Sequence, residues 1–242
     1  VIATVHQLYR FKQHFDTVFI DEVEAFPLSM DPNLSLAIQT ASKAIHSHIY
    51  MTATPPRQLI KQMSSHKVIK LPARFHRQPL PVPHFKHFKL NTSRVQSQLI
   101  HLFQAQIKQQ RYTLVFFNHI ETMKDAYHKY RAHIPNLICV YSEDVYRFDK
   151  VEALRRGEHS IVFTTTILER GFTMARLDVI VINAETFSKA ALIQIAGRVG
   201  RKMEEPKGLV LFLHEGVSLS MIKAKKDITE TVSYTHLTLP TS

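Results

Sequence analysis

Val18-Phe19-Ile20-Asp21-Glu22-Val23-Glu24 sets an apolar run directly before a pair of acids. A run of this kind is the form of a strand buried on both faces of a parallel sheet, and such strands deliver functional side chains at their C-terminal edge. Far downstream, Gln194-Ile195-Ala196-Gly197-Arg198-Val199-Gly200-Arg201 places two arginines three apart beside two glycines. Carboxylates can hold Mg²⁺ and polarise water, and guanidinium groups can reach a γ-phosphate. The two blocks are therefore complementary halves of phosphoryl-transfer chemistry. No G-x-x-x-x-G-K-S/T phosphate loop occurs in the 242 residues.

Strands and helices alternate between these blocks. Strands are expected over 18–20, 48–51, 68–71, 112–117, 137–141, 161–165, 179–182 and 209–213. Helices are expected over 32–47, 56–63, about 95–107, 120–133, 149–156, 188–199 and 218–226. Asp31 ahead of Pro32 is a helix start, because aspartate caps free amides and proline at the first turn loses none that it needs. The alternation predicts an α/β protein with parallel sheets covered by helices on both faces. Pro72, Pro79, Pro81 and Pro83 crowd one stretch and favour extended backbone, so 76–90 reads as a linker between a first unit, 1–75, and a second, 91–230. The tail 231–242 carries no charge and no helical pattern, and it reads as a non-native extension.

The charge distribution points to a polyanion. Lys and Arg outnumber Asp and Glu by 31 to 20, for a net charge of +11. Between Asp31 and Glu121 there is no acid at all, while twelve basic residues occur, Lys86, Lys89, Arg94 and Arg111 among them. A one-sided field of this kind is the electrostatic footprint of a nucleic-acid partner. The single Cys139 excludes a disulfide framework or a cysteine-rich zinc site within these residues, and its apolar setting reads as a buried small hydrophobe. The fifteen histidines form no H-E-x-x-H, and the pairs His46/His48 and His84/His87 read as surface residues. No stretch approaches the roughly 18 apolar residues of a membrane span, so a cytoplasmic protein with no direct membrane insertion is expected.

Three further blocks narrow the reading: Asp21-Glu22-Val23-Glu24-Ala25-Phe26-Pro27, Met51-Thr52-Ala53-Thr54-Pro55 and Thr164-Thr165-Thr166-Ile167-Leu168-Glu169-Arg170-Gly171-Phe172-Thr173. With the arginine block, they resemble superfamily 2 helicases built from two RecA-like lobes. Within that group the likeness is to the late-competence DNA-uptake ATPases of ComFA type. The resemblance covers residues 1 to about 229 and lacks the family's phosphate loop and four-cysteine zinc module. It implies an incomplete first lobe, a complete second lobe, and ATP with Mg²⁺ bound between them. It implies that Asp21 holds Mg²⁺, Glu22 activates water, and Arg198 and Arg201 act as fingers. Gln194, Gly171, Thr52 and Thr54 would contact or sense nucleotide. Thr4, His6, Gln7, Thr165 and Thr166, together with Lys86, Lys89 and Arg94, would contact single-stranded DNA. The parent would be a cytoplasmic DNA translocase, with peripheral attachment at the inner face of the membrane beside uptake-channel proteins left open. A repair or primosomal helicase, or an inactive nucleic-acid-binding fragment, stays open as the alternative.

Overall fold

The computed structural model describes residues 1–23, 28, 31–62, 68–69, 80–165, 172, 174–202, 205 and 207–237. The chain divides into two compact units, Val1–Lys70 and Leu71–Ser242. The first opens with a 3₁₀ turn, Val5–Arg10, followed by β1 (Phe15–Ile20), α1 (Pro32–Ala41), β2 (Ser42–Tyr50) and α2 (Arg57–Gln62). Asp31 caps α1 as expected, its carboxylate accepting the Asn33 amide at 2.9 Å. Leu34, Ala37, Ile38 and Ala41 form the buried stripe of α1.

Residues 42–47 depart from the expected helix. α1 stops at Ala41, the Ser42 hydroxyl donates to the Ile38 carbonyl at 2.8 Å, and the chain turns into strand. β1 and β2 then pair in parallel, from Phe15↔Ser42 through a register shift to Ile20↔Tyr50. Pairing to a neighbour satisfies backbone groups over a longer run than one more helical turn, so tertiary context overrides the local pattern. Phe19, Ile45 and Ile49 are exposed on this two-stranded sheet, which is unusual because parallel strands ordinarily bury both faces. Val68 and Ile69 carry no strand, and Lys70 and Leu71, the rest of that expected strand, lie outside the described residues.

The second unit holds β3 (His84–His87), α3 (Ser97–Lys108), β4 (Tyr112–Phe116), α4 (Ile120–Tyr130), β5 (Ile138–Val140), α5 (Arg147–Arg155), β6 (Ile161–Thr164), β7 (Leu177–Val181), α6 (Lys189–Ala196), β8 (Val210–His214) and α7 (Leu219–Leu237). Its described strands form one six-stranded sheet, ordered β3-β8-β7-β4-β6-β5, with every neighbouring pair parallel. Alternation along β4 divides the core. Leu114 and Phe116 face one cluster with Leu192, Ile195 and Met221 of α6 and α7, while Val115 and Phe117 face another with Phe103, Met123 and Tyr130 of α3 and α4. Cys139 lies in the second cluster as a buried thiol, and that burial pushes its pKa up. The chain leaves β6 on one side of β4 and returns as β7 on the other. Such a reversal opens a crevice at the C-terminal edge, where β6 ends at Thr164.

Two expectations change at the ends. His84–His87, inside the expected linker, is an edge strand paired with β8 from His84↔Leu211 to His87↔His214. The backbone of α7 runs to Leu237, into the tail that was read as non-helical. Extending an existing helix is far easier than nucleating one, and no glycine or proline intervenes before Pro240. No helix among the described residues is long and apolar enough to cross a membrane.

Candidate functional site

In the first unit the acid pair and the threonine block share one edge. β1 ends at Ile20, whose carbonyl accepts the Met51 amide at 2.8 Å, and the Val23 amide reaches back to the Met51 carbonyl at 3.4 Å. The ladder therefore sets Asp21 and Glu22 beside Met51 and Thr52. Asp21 accepts the Glu22 amide at 2.9 Å, and both acids are exposed. Glu22 adopts φ +50°, a left-handed conformation that costs a non-glycine residue about 1–3 kcal/mol and clusters at functional sites. The Thr52 hydroxyl accepts the Thr54 amide at 3.1 Å, which shapes the turn after β2. Two adjacent exposed carboxylates suit Mg²⁺, which prefers one or two protein carboxylates plus phosphate oxygens. No group of three or more His, Cys, Asp or Glu suited to a metal forms among the described residues.

In the second unit the arginine block is not one helical face. α6 ends at Ala196, and 197–200 form a turn closed by short-range bonds from the Arg198 amide to the Ile195 carbonyl at 3.0 Å and from Val199 to Ala196 at 3.2 Å. Gly200 takes φ +66°, a left-handed position that ends helices and that glycine occupies without penalty. The glycines thus lie where the helix ends, at Ala196 rather than at the expected 199. The arginines also differ. Arg198 is 3% exposed and donates from Nη1 to the Phe172 carbonyl at 3.1 Å, tying the turn to the segment after β6. Arg201 is exposed, and its Nε donates to the Gly197 carbonyl at 2.8 Å. Gln194 is half-buried near the end of α6.

The remaining sequence candidates are scattered. Thr165 is 8% exposed, so it is not presented to a polyanion as the surface candidates are. Thr166 and Gly171, with Glu169 and Arg170, lie outside the described residues. Thr4, His6 and Gln7 are exposed in the first unit, where the Gln7 side chain accepts the Thr4 amide at 2.9 Å. Lys86 is exposed on β3 and Arg94 is exposed before α3, whereas Lys89 pairs with Glu215 at 3.4 Å.

Arg111 departs from the expected basic field. Its guanidinium grips the buried Asp178 in two bonds, Nη2 to Oδ1 at 2.6 Å and Nε to Oδ2 at 3.2 Å. The sign of this pair was present in the sequence. Asp178 interrupts the apolar run Leu177-Asp178-Val179-Ile180-Val181, and a charge inside a buried strand requires a partner.

Residues 94–203 match the family model of the helicase conserved C-terminal domain. Over 239 residues the chain is 36% identical to the competence protein ComFA of Bacillus subtilis (strain 168), covering 95% of this chain and 52% of that protein. To the competence protein ComFA of Streptococcus pneumoniae (strain ATCC BAA-255 / R6) it is 37% identical, covering 94% of this chain and 55% of that protein. The chain is of the ComFA type, among the superfamily 2 helicases. It spans about half the length of these curated relatives. Solved helicases share the fold. S. cerevisiae Dbp5 L327V, bound to RNA and ADP BeF3, matches with a TM-score of 0.66 at 14% identity over 94% of this chain and 61% of that one. Mycobacterium smegmatis helicase Lhr, bound to ssDNA and AMP-PNP, matches with a TM-score of 0.58 at 17% identity over 96% of this chain and 32% of that one. The RecA-like α/β reading therefore stands, and the ComFA-type chain is helicase-like in its second unit.

Proposed function

We propose that this ComFA-type chain belongs to an ATP-driven single-stranded-DNA translocase of DNA uptake. The observation that carries the reading is the shared edge in the first unit, where exposed Asp21 and Glu22 stand beside the Thr52 turn. In this scheme Asp21 holds Mg²⁺, which supplies charge neutralisation at the phosphates. Glu22 orients the attacking water and takes its proton. Arg201, exposed at the end of its turn, serves as the finger toward the γ-phosphate. Arg198 is buried against the Phe172 carbonyl, so its role is to couple that turn to the segment after β6, and Gln194 and Gly171 complete the nucleotide contacts. Thr52 and Thr54 relay nucleotide state. Lys86 and Arg94, with Thr4, His6, Gln7 and Thr166, track the DNA backbone. ATP and single-stranded DNA are the ligand classes that the ligands of Dbp5 and Lhr support by analogy.

The 242 residues contain no phosphate loop, so hydrolysis in this scheme draws the phosphate cradle from a polypeptide of the relatives' length. Glu22→Gln in such a polypeptide tests the reading. Loss of a general base predicts a drop of about 10²–10⁴ in DNA-stimulated hydrolysis, with ATP binding retained. Unchanged turnover would overturn the assignment. In cells the same substitution should abolish uptake of transforming DNA and leave DNA repair intact; the reverse pattern would assign the protein to repair.

A further inference from the structure

We propose that the Arg111–Asp178 pair is a positioning device for the arginine-bearing turn 197–201, acting through Gly208 and Val199. This rests on the reading of Arg201 as a finger. Three polar groups of the segment leading into β8 converge on the pair. The Leu209 amide donates to Asp178 Oδ1 at 2.8 Å, and Arg111 Nη2 donates to the Lys207 carbonyl at 3.1 Å. Arg111 Nη1 meets Glu205 Oε1 at 3.3 Å, and Asp178 Oδ1 is the atom that Arg111 Nη2 grips at 2.6 Å. The pair thus binds the returning segment to the starts of β4 and β7 with a fixed planar fork.

Gly208 lies inside this arrangement and links it to the turn. A Cβ placed there would lie 2.8 Å from Arg111 Nη2 and 2.8 Å from Asp178 Oδ1, and would also collide with Val199 Cγ1. The glycine backbone is therefore packed against the ion pair and against Val199 together. Val199 is fully buried and stands between Arg198 and Gly200. A shift of the fork displaces Gly208, and Val199 has no room to absorb it, because packed interiors transmit small displacements. A net stabilising role does not explain the pair, since the desolvation of a buried ion pair roughly cancels its attraction. What the fork supplies is a defined position for Glu205 and for Lys207, Gly208 and Leu209, and through them for the turn that ends in Arg201.

The test replaces Arg111 with Lys, which keeps the charge and loses the fork, and separately makes Gly208→Ala. In a polypeptide of the relatives' length, a displacement of about 1 Å at the finger predicts a kcat loss of roughly 10²-fold in DNA-stimulated ATPase. KM for ATP should stay within about threefold, because the finger acts in the transition state. In the 242-residue chain, amide hydrogen exchange should quicken at 197–201 and leave β5 unchanged. A fall in stability with kcat unchanged, or exchange that quickens equally in β5, would overturn the proposal. If Arg111→Lys does not fold, Gly208→Ala carries the same two measurements. If the wild-type long polypeptide has no DNA-stimulated ATPase, the functional reading fails, and the exchange result still decides the mechanical link.

Discussion

Arg201→Lys separates a finger from a basic residue that only decorates a turn. In the structure Arg201 is exposed, and its Nε donates to the Gly197 carbonyl at 2.8 Å. Lysine keeps the charge and loses that bond along with the planar fork. A hydrogen bond of this kind contributes about 0.5–1.5 kcal/mol net, and an exposed one belongs at the lower end. For a domain of this size that corresponds to a Tm change of roughly 1–2 °C, which leaves the protein folded under assay conditions. A finger, by contrast, is worth about 10³–10⁵ in turnover, so a loss of at least about 10²-fold is expected even with partial compensation by the ammonium. A hundredfold corresponds to about 2.7 kcal/mol of barrier, well above the structural cost. The assay is DNA-stimulated ATP hydrolysis by a polypeptide of the relatives' length, with nucleotide and DNA affinities measured in parallel. Retained turnover in Arg201→Lys beside a dead Glu22→Gln would pass the finger role to Arg198, despite its burial. Retained turnover in both would refute the nucleotide site.

The 242-residue chain alone should hydrolyse ATP no faster than background, because it has no phosphate loop to cradle the β- and γ-phosphates; robust DNA-stimulated hydrolysis by the purified chain would defeat this. Replacing Lys86 and Arg94 with Ala should each flatten the salt dependence of single-strand binding by about 0.7 in log–log slope. Lys89→Ala should change it less, because Lys89 is already paired with Glu215, and an unchanged slope in all three would assign them to ordinary surface. His48 provides a pH test. Its burial, and secondarily His46, hold its pKa below the ordinary 6.5, while its ring nitrogen shares a 2.8 Å hydrogen bond with Ser42. Between the two values the unfolded chain binds more protons, so this stability is complete above about pH 6.5 and is lost as the pH falls through the folded value. His48→Gln should remove that part of the acid slope in denaturant unfolding, and an identical profile would refute the assignment.

The second unit was legible because its strands announce themselves twice: as β-branched and aromatic runs, and by an alternation that sorts Leu114 and Phe116 from Val115 and Phe117 onto opposite faces. Where that double signal failed, the reading failed. Residues 42–47 carry no clear alternation; Ser42 and Ser47 pair with Phe15 and Thr17 of β1, contacts distant in sequence, with the register shift between them. The arginine turn was misread for a related reason. Leu192, Ile195, Ala196 and Val199 are all buried, so the apolar period runs past the true end of α6. The competing signal was Gly197 and Gly200, whose tolerance of helix-ending conformations outweighs a period carried by one more residue. Arg111 illustrates the limit of counting charge along a chain. Within an interval of 89 residues without an acid it looked like part of a field, yet its partner lies in a strand that begins far downstream. The better clue was Asp178, because a lone carboxylate in a strand buried on both faces has to be neutralised from within the fold. Such a carboxylate identifies a basic residue that is withdrawn from the surface. Subtracting it, and lysines already paired such as Lys43 and Lys89, leaves Lys61, Lys86, Arg94 and Lys108 as the exposed nucleic-acid candidates among the described residues of that interval.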